Sequence, residues 1–127
     1  MTESEKKLKY ISNLAKKTAR KITAGPQDWA AFLKVAAKFY KYSFQDQLLI
    51  YAQRPDATAC AAYDVWNNRM NRWVKRGAKG IALLPENRDN PHIKYVFDVK
   101  DTQGGRNAHR LYLWNIKPEY YGSVNKI

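Results

Sequence analysis

The sequence has few of the features that mark secreted or membrane-spanning proteins. Its 127 residues include a single cysteine, Cys60, so no internal disulfide can form. No apolar run approaches the roughly 20 residues that a membrane span requires. A charged start followed by an apolar run and a small-residue cleavage site, which would mark a secretory signal, is also missing. We therefore expect a protein of the reducing cytoplasm.

Residues for metal or cofactor chemistry are scarce as well. The two histidines, His92 and His109, stand 17 residues apart with no cysteine pair or other ligand spacing around them. There is no glycine-rich phosphate loop of the Walker type, and Gly104-Gly105 lies in a polar stretch that is typical of a turn. The sequence predicts a chain that is not an enzyme and uses no metal or cofactor, with any catalysis left to a further C-terminal domain.

One short motif offers a catalytic alternative. Asp98-Val99-Lys100 is similar to the acid-x-Lys element of metal-dependent nucleases, in which carboxylates hold the ion. The second carboxylate would have to be Glu86 or Asp89. A strand end with solvated charges explains the same residues more simply, so a nuclease is the lesser alternative.

Acidic residues are few, and this shortage is the strongest signal in the composition. There are 11 Asp and Glu against 23 Lys and Arg, which gives a formal net charge of +12. Hydrophobic residues make up 45% of the chain and aromatic residues 13%, which is enough for the core of one compact domain. The charge predicts a polyanionic partner, with nucleic acid favoured over an anionic membrane surface.

Helical periodicity dominates the N-terminal half. The first helix is basic, ends before Gly25-Pro26, and has an apolar face of Leu8, Ile11, Leu14, Ala15, Thr18 and Ile22. The second begins at Pro26, with Trp29, Phe32, Leu33, Ala36, Phe39 and Tyr40 on its expected inner face. Ser43 and Asp46 form a variant capping box that opens a third helix, apolar and central, which Pro55 stops.

Strand patterns dominate the C-terminal half. Asp64 is expected to cap a fourth helix in which Trp66, Met70 and Trp73 share a face. Strands are predicted within 58–62, 81–84, 93–100 and 111–114, with a polar turn over 101–107. In the third of these, Ile93, Tyr95, Phe97 and Val99 alternate with Lys94, Val96, Asp98 and Lys100, which is typical of a half-buried strand. The order predicts an α+β domain in which about four N-terminal helices pack on a small antiparallel sheet.

The positive charge is densest between residues 69 and 79. Five cations occur there without an acidic residue: Arg69, Arg72, Lys75, Arg76 and Lys79. Tyr63, Trp66 and Trp73 stand before or among them, and Gly77 and Gly80 bracket a predicted tight turn. Cations neutralise phosphates, glycines let the backbone approach closely, and aromatic faces stack unpaired bases. This combination predicts an interface for single-stranded nucleic acid.

A simpler interpretation of the same stretch stays open. A run of charges is usually a solvated face, and aromatic residues at helical spacing usually belong to a core. We expect Trp66 in the core, whereas Trp73, next to the turn, fits either interpretation.

Three blocks of this chain together resemble the N-terminal domain of the ArdC antirestriction family, as found in proteins of conjugative transposons and plasmids. These are 42–55 (Tyr-Ser-Phe-Gln-Asp-Gln-Leu-Leu-Ile-Tyr-Ala-Gln-Arg-Pro), 57–60 (Ala-Thr-Ala-Cys), and Trp66 followed by 74–81 (Val-Lys-Arg-Gly-Ala-Lys-Gly-Ile). The resemblance covers about residues 29–84, and 95–102 extends it. The family pattern often has Asn after its Tyr-Ser pair; this chain has Gln45-Asp46, so an Asn-based contact cannot be transferred.

The resemblance implies a single-stranded-DNA-binding domain, usually at the front of a larger protein. The metalloprotease motif of the family's second domain is not in this sequence. We expect a basic N-terminal helix (1–24), the binding domain (25–117) and a tail or linker (118–127). The matching positions are Tyr42, Ser43, Gln47, Gln53, Arg54, Lys75, Gly77, Lys79 and Gly80.

The sequence thus predicts a DNA-binding module of a mobile element that binds single strands with little sequence specificity, in antirestriction or in DNA transfer or replication. Lys75, Arg76 and Lys79 would hold phosphates, with Arg54, Arg69 and Arg72 beside them, and Trp73, Tyr63 or Tyr42 would stack bases. The alternative is a protein-interaction module that acts in antirestriction or in the assembly of a transfer complex.

Overall fold

The computed structural model describes residues 2–85 and 92–104. It confirms the α+β class, with helices mostly in the N-terminal half and small antiparallel sheets formed mainly by the C-terminal half. The α-helices are α1 (Glu3–Ile22), α2 (Pro26–Ala36) and α3 (Phe44–Gln53), and the strands are β1 (Cys60–Ala61), β2 (Arg72–Val74), β3 (Ile81–Leu83), β4 (Lys94–Asp98) and β5 (Thr102–Gly104). Within these residues, none of the helices is both long enough and apolar enough to cross a bilayer.

Helix α1 forms as its periodicity predicts. Thr2 and Glu5 make a reciprocal capping box at its start. Its buried residues, spaced three or four apart, are Ile11, Ala15, Thr18 and Ile22. This face packs chiefly on α3, so the helix belongs to the core and its lysines lie outside.

Helix α2 begins at Pro26, as predicted, because its first position needs no N–H donor. The prediction of its inner face was only partly right. Phe32 and Ala36 are buried together with Val35, whereas Trp29 and Leu33 are 42% and 44% exposed. The α-helix ends at Ala36 and the chain continues as a 3₁₀ turn over Ala37–Phe39, which rotates the later residues relative to the helix. Phe39 points inward and Tyr40 outward.

Helix α3 is the central helix, as predicted. The Ser43 hydroxyl accepts a hydrogen bond from the Asp46 N–H at 3.1 Å, so the expected cap is present. The Asp46 carboxylate accepts a bond from the Leu84 N–H at 3.3 Å, so it fastens the helix start to the end of β3. Burial outweighs these hydrogen bonds and nearby Lys94, and raises the pKa of Asp46 above its ordinary value. The buried residues of the helix are Leu48, Leu49 and Ile50.

The strands form two separate antiparallel units. A three-stranded sheet has the order β1-β4-β3, with Cys60 opposite Asp98 and Ile81 opposite Val96. A two-stranded ribbon pairs β2 with β5. The predicted strands at 58–62, 81–84 and 93–100 are therefore confirmed in shorter form, while the one at 111–114 lies outside the described residues.

The strand region differs from the predictions at two points. Residues 102–104, expected in a polar turn, form β5, because β2 supplies a pairing partner. The expected fourth helix is a single π-helical turn, Val65–Arg69, and Asp64 makes no side-chain cap. Trp66 and Met70 are buried as predicted, but Trp73 lies on β2 and is 43% exposed.

Strand β4 alternates in burial from Tyr95 to Asp98, where fully buried side chains follow partly exposed ones. Val96 and Asp98 are fully buried, whereas Tyr95 is 40% exposed. Phe97, on the other face, packs against the cluster around Trp66, whose Nε1–H donates to the Phe97 carbonyl at 2.9 Å. Both faces of the strand therefore carry apolar contacts, which the alternating sequence conceals.

Asp98 is a buried carboxylate that accepts hydrogen bonds from three backbone N–H groups in two segments. Its Oδ1 accepts hydrogen bonds from the N–H groups of Thr58 (2.7 Å) and Ala59 (3.0 Å). Its Oδ2 accepts a bond from the Lys100 N–H at 3.1 Å, which starts the 3₁₀ turn Val99–Asp101. The side chain is 0% exposed, so protein groups provide the hydrogen bonds that water would otherwise make.

We expect Asp98→Ala to lower the free energy of unfolding by about 3 kcal/mol or more, because three backbone donors lose their acceptor. Urea denaturation followed by circular dichroism measures the change. Asp64→Ala is the matched control, since Asp64 is exposed and caps nothing, and it should stay within about 0.5 kcal/mol. Equal stability of the two variants would contradict this role for Asp98.

Candidate nucleic-acid interface

The β2–β5 ribbon presents one aromatic side chain to solvent. Trp73 lies opposite Gln103 in the ribbon, and its neighbours Arg72 and Val74 lie opposite Gly104 and Thr102. Because successive strand residues face opposite sides, Val74 packs against the Trp66 cluster and Trp73 points outward. The ribbon thus offers an exposed indole beside the basic segment, as a base-stacking residue would require.

Arg72 is held against the ribbon. Its Nε–H donates to Thr102 Oγ1 at 2.8 Å and its Nη2 to the Thr102 carbonyl at 3.2 Å. Thr102 Oγ1 in turn donates to the Val99 carbonyl at 2.7 Å. Arg72 therefore contributes its charge from a fixed position and has fewer N–H groups left for a ligand.

The turn after β2 carries the exposed cations. We define the cationic turn as residues 75–80. The Lys75 N–H donates to the Asp101 carbonyl at 2.8 Å, and the Ala78 N–H donates to the Lys75 carbonyl at 3.1 Å. Lys75, Arg76 and Lys79 are all exposed. The Lys75 ammonium lies 3.4 Å from the Lys100 carbonyl, whereas Arg76 and Lys79 make no ion pair among the described residues.

The two glycines of the turn meet different requirements. Gly77 has a φ of +85°, in the left-handed region that side chains disfavour, and the space around it is open. At Gly80 the limit is space: a Cβ there would lie 3.1 Å from Tyr95 Cδ1 and 3.4 Å from Phe97 Cζ. Gly77 therefore allows the bend, and Gly80 allows the chain to lie on the β4 side chains.

Asp101 connects this turn to the end of α3. Its carboxylate accepts two hydrogen bonds from Arg54, Nη1 to Oδ2 at 3.0 Å and Nη2 to Oδ1 at 3.3 Å. Arg54 Nε lies 2.9 Å from Asp56 Oδ1, and Lys100 Nζ donates to the Asp56 carbonyl at 2.6 Å. The four side chains thus form a network of two cations and two anions.

The network makes Arg54 a positioning residue. Partial burial disfavours its charge, but the carboxylates of Asp101, Asp56 and Asp98 outweigh this effect and raise the pKa of Arg54 above its ordinary value. Since Nη1 and Nη2 donate to Asp101 and Nε is ion-paired with Asp56, Arg54 orders the segment that carries Lys75 instead of presenting a free cation.

The structure brings most of the sequence-predicted residues together. The ribbon and the cationic turn hold a contiguous set of them: Arg72, Trp73, Lys75, Arg76, Gly77, Lys79 and Gly80. Arg54 reaches this region through Asp101. Arg69 and Tyr63 are exposed on the segment that precedes β2, and Tyr63 is 52% accessible.

Two predicted residues are engaged in the packing of the fold: Tyr42 is buried and Gln47 is half-buried. Tyr42 is 6% exposed and its hydroxyl donates to the Cys60 carbonyl at 3.1 Å, so its ring is not accessible for stacking. Burial also raises its pKa well above the ordinary value. Gln47 donates its side-chain amide to the carbonyls of Phe39 and Tyr42, at 2.9 and 3.2 Å. Both side chains fasten α3 to the preceding turn.

Sequence reasoning missed two aromatic residues near the turn. Tyr10 projects from α1 with 65% of its surface exposed, and it lines a cleft of about 290 Å³ together with Lys79 and Gly80. Tyr95 lies against Gly80. The only signal for Tyr10 in the sequence is a large ring on the polar side of an amphipathic helix.

Asp98 belongs to the motif for which a strand end with solvated charges was the simpler interpretation. Its carboxylate is buried, so that interpretation is wrong for Asp98. Its oxygens accept backbone hydrogen bonds in the interior, and Lys100 points to Asp56. Glu86 and Asp89 lie outside the described residues. Among residues 2–85 and 92–104, no three side chains of the metal-ligating type are grouped.

Cys60 is buried beside Asp98, with Sγ 3.8 Å from Oδ1, in agreement with the prediction of a small core residue. Burial and the adjacent carboxylate raise the pKa of its thiol far above the ordinary value. Cys60 is therefore a packing residue of the core.

Comparisons with protein-family models, curated proteins and solved structures find no match for this chain. The ArdC resemblance therefore rests on the motifs alone and stays a prediction.

We expect Gly77→Ala to lower the free energy of unfolding by about 1–2 kcal/mol, because a Cβ disfavours the left-handed backbone. Gly77→Asn should cost less, since asparagine tolerates this region. Urea denaturation of the three proteins checks the order glycine, asparagine, alanine. Full stability of the alanine variant would show that the turn adopts another backbone conformation.

Proposed function

We propose that this chain binds single-stranded DNA with little sequence preference, through the β2–β5 ribbon and the cationic turn. The observation that supports the proposal most directly is the placement of the exposed Trp73 beside three exposed cations, Lys75, Arg76 and Lys79. Cations bind phosphates whatever the base, and an indole stacks on any base. Sequence tolerance follows from these two kinds of contact.

The geometry favours single strands over duplex. The exposed indole of Trp73 lies next to the cations of the turn, and an aromatic face of this kind stacks on unpaired bases. A stacked base must also leave its pair, and an unpaired strand does not have to break one. In a duplex Trp73 would find no exposed base face.

The motif resemblance supplies the biological context of the proposal. A domain of the ArdC type would serve as the DNA-binding module of a mobile-element protein, in antirestriction or in DNA transfer or replication. The net charge of +12 agrees with a nucleic-acid partner.

A protein-interaction module is the second candidate, and one surface favours it. Trp29 and Phe44 flank the buried Phe32, with ring centroids 5.9 and 5.8 Å from it, and both remain exposed, as does Leu33. This apolar patch is on the helical layer, on different elements from the cationic turn, so the two candidates predict different sensitive residues.

We expect the affinity for single-stranded DNA to fall with salt as three phosphate contacts predict, because the turn carries three exposed cations. At about 0.7 per phosphate for a single strand, three contacts give a log–log slope near −2, or roughly a twentyfold loss of affinity between 50 and 200 mM salt. The triple variant Lys75→Ala, Arg76→Ala, Lys79→Ala should lose about tenfold or more at 50 mM and show a flatter slope. Fluorescence anisotropy with labelled oligonucleotides of two unrelated sequences measures both quantities.

The matched control removes three exposed lysines elsewhere: Lys16→Ala, Lys34→Ala and Lys38→Ala. It changes the net charge equally and should keep most of the affinity. Equal losses in the two triple variants would mean that only total charge matters. Loss confined to one sequence would contradict backbone recognition.

Competition separates the classes of partner. Unlabelled single-stranded DNA should displace the probe better than duplex DNA or heparin of equal charge, and single-stranded RNA in the same assay shows whether the sugar contributes. Preference for heparin would favour a general polyanion or acidic-protein binder, and magnesium-dependent shortening of the probe would support the nuclease alternative.

A further inference from the structure

Helix α1 contributes an exposed aromatic side chain to the neighbourhood of the cationic turn. Tyr10 points away from the buried face that Ile11, Ala15, Thr18 and Ile22 form. It lines one wall of the cleft of about 290 Å³ that Lys79 and Gly80 also line, with Leu14 and Ile81 among its apolar wall residues. Tyr10 is 65% exposed, so its ring is accessible to a ligand that enters the cleft.

A second exposed ring, that of Tyr95 on β4, lies against Gly80. Tyr95 lies opposite Ala82 in the β3–β4 pairing, and its ring is in close contact with the Gly80 backbone, which a Cβ would approach to 3.1 Å. Because Gly80 has no side chain, nothing projects from this position to cover the Tyr95 ring. The ring keeps 40% of its surface accessible.

A lysine connects the two tyrosines. Lys7 Nζ donates to the Tyr95 hydroxyl at 3.1 Å and lies 5.7 Å from the centre of its ring. Lys7 and Tyr10 are three residues apart on α1, so their side chains are neighbours on the helix surface. Lys7 therefore connects Tyr95 to the part of α1 that carries Tyr10, and Tyr10 lines the cleft beside Lys79.

We propose that Tyr10 and Tyr95, with Lys7 and Lys79, form a second base-stacking surface, which extends the single-stranded DNA site from the cationic turn onto α1. We call these four residues the tyrosine platform. The inference rests on the proposed function. It adds a binding surface for the part of the DNA that lies beyond the ribbon.

The chemistry of the platform fits a nucleic-acid strand. Two accessible rings can each stack a base, and the two ammonium groups can neutralise the intervening phosphates. Lys79 belongs to both the turn and the platform, because it lines the same cleft as Tyr10. The platform residues carry no acidic side chain that would repel a phosphate.

The decisive experiment combines a substitution at Tyr10 with a DNA strand that lacks most of its bases. Binding of a twenty-nucleotide oligothymidine is compared with that of a mostly abasic strand of equal length and charge, for the wild-type chain and for Tyr10→Ala. We expect the variant to bind oligothymidine about fivefold or more weakly, the effect of losing one stacked base. The abasic strand should bind both proteins equally.

Two variants control for a structural effect. Tyr10→Phe keeps the ring and should bind oligothymidine as the wild type does. Tyr40→Ala removes another tyrosine of nearly equal exposure, 63%, from the turn after α2 and should leave binding unchanged. Photocrosslinking of a strand that contains 5-iodouracil provides a second readout, with Tyr10 or Tyr95 expected among the modified residues.

The outcomes keep this inference distinct from the proposed function. If Tyr10→Ala binds oligothymidine as the wild type does while the triple variant of the turn is impaired, the platform is refuted and the function stands. Equal weakening of both strands by Tyr10→Ala would also refute stacking. If the wild-type chain binds no single strand, the proposed function itself fails.

Discussion

The buried carboxylate of Asp98 is the interaction on which the rest of the architecture depends. It accepts hydrogen bonds from the loop that precedes β1 and from the 3₁₀ turn that follows β4. That turn ends in Asp101, whose carboxylate holds Arg54 and whose carbonyl holds the N–H of Lys75. One interior group thus connects, through Asp101, the end of α3 with the start of the cationic turn.

The sequence predicted elements whose stability is local and missed those that depend on remote partners. The apolar spacing of α1, the Ser43 cap and the burial of Trp66 can be read from neighbouring residues. Trp73 was assigned to a helix because its strand partner, Gln103, is 30 residues away. Tyr42 became a predicted stacking residue because the sequence cannot reveal that its hydroxyl donates to a distant carbonyl.

In the candidate interface, too, the sequence predicts neighbouring residues and misses those that folding brings together. Its cations and glycines are contiguous in sequence, so composition alone indicated the cationic turn. Tyr10 and Tyr95 are 85 residues apart, and only folding places both beside Gly80. An aromatic residue on the polar face of a helix, such as Tyr10, gives no sign in the sequence of the cation that folding places beside it.

The cationic turn begins at a strand of one sheet and ends at a strand of the other. The β2–β5 ribbon fixes its start, the three-stranded sheet fixes its end, and the Asp101 carbonyl holds Lys75 between them. A loop restrained at both ends has already lost much of its backbone freedom when the chain folds. A ligand that binds there orders only side chains, so a small set of contacts can yield useful affinity.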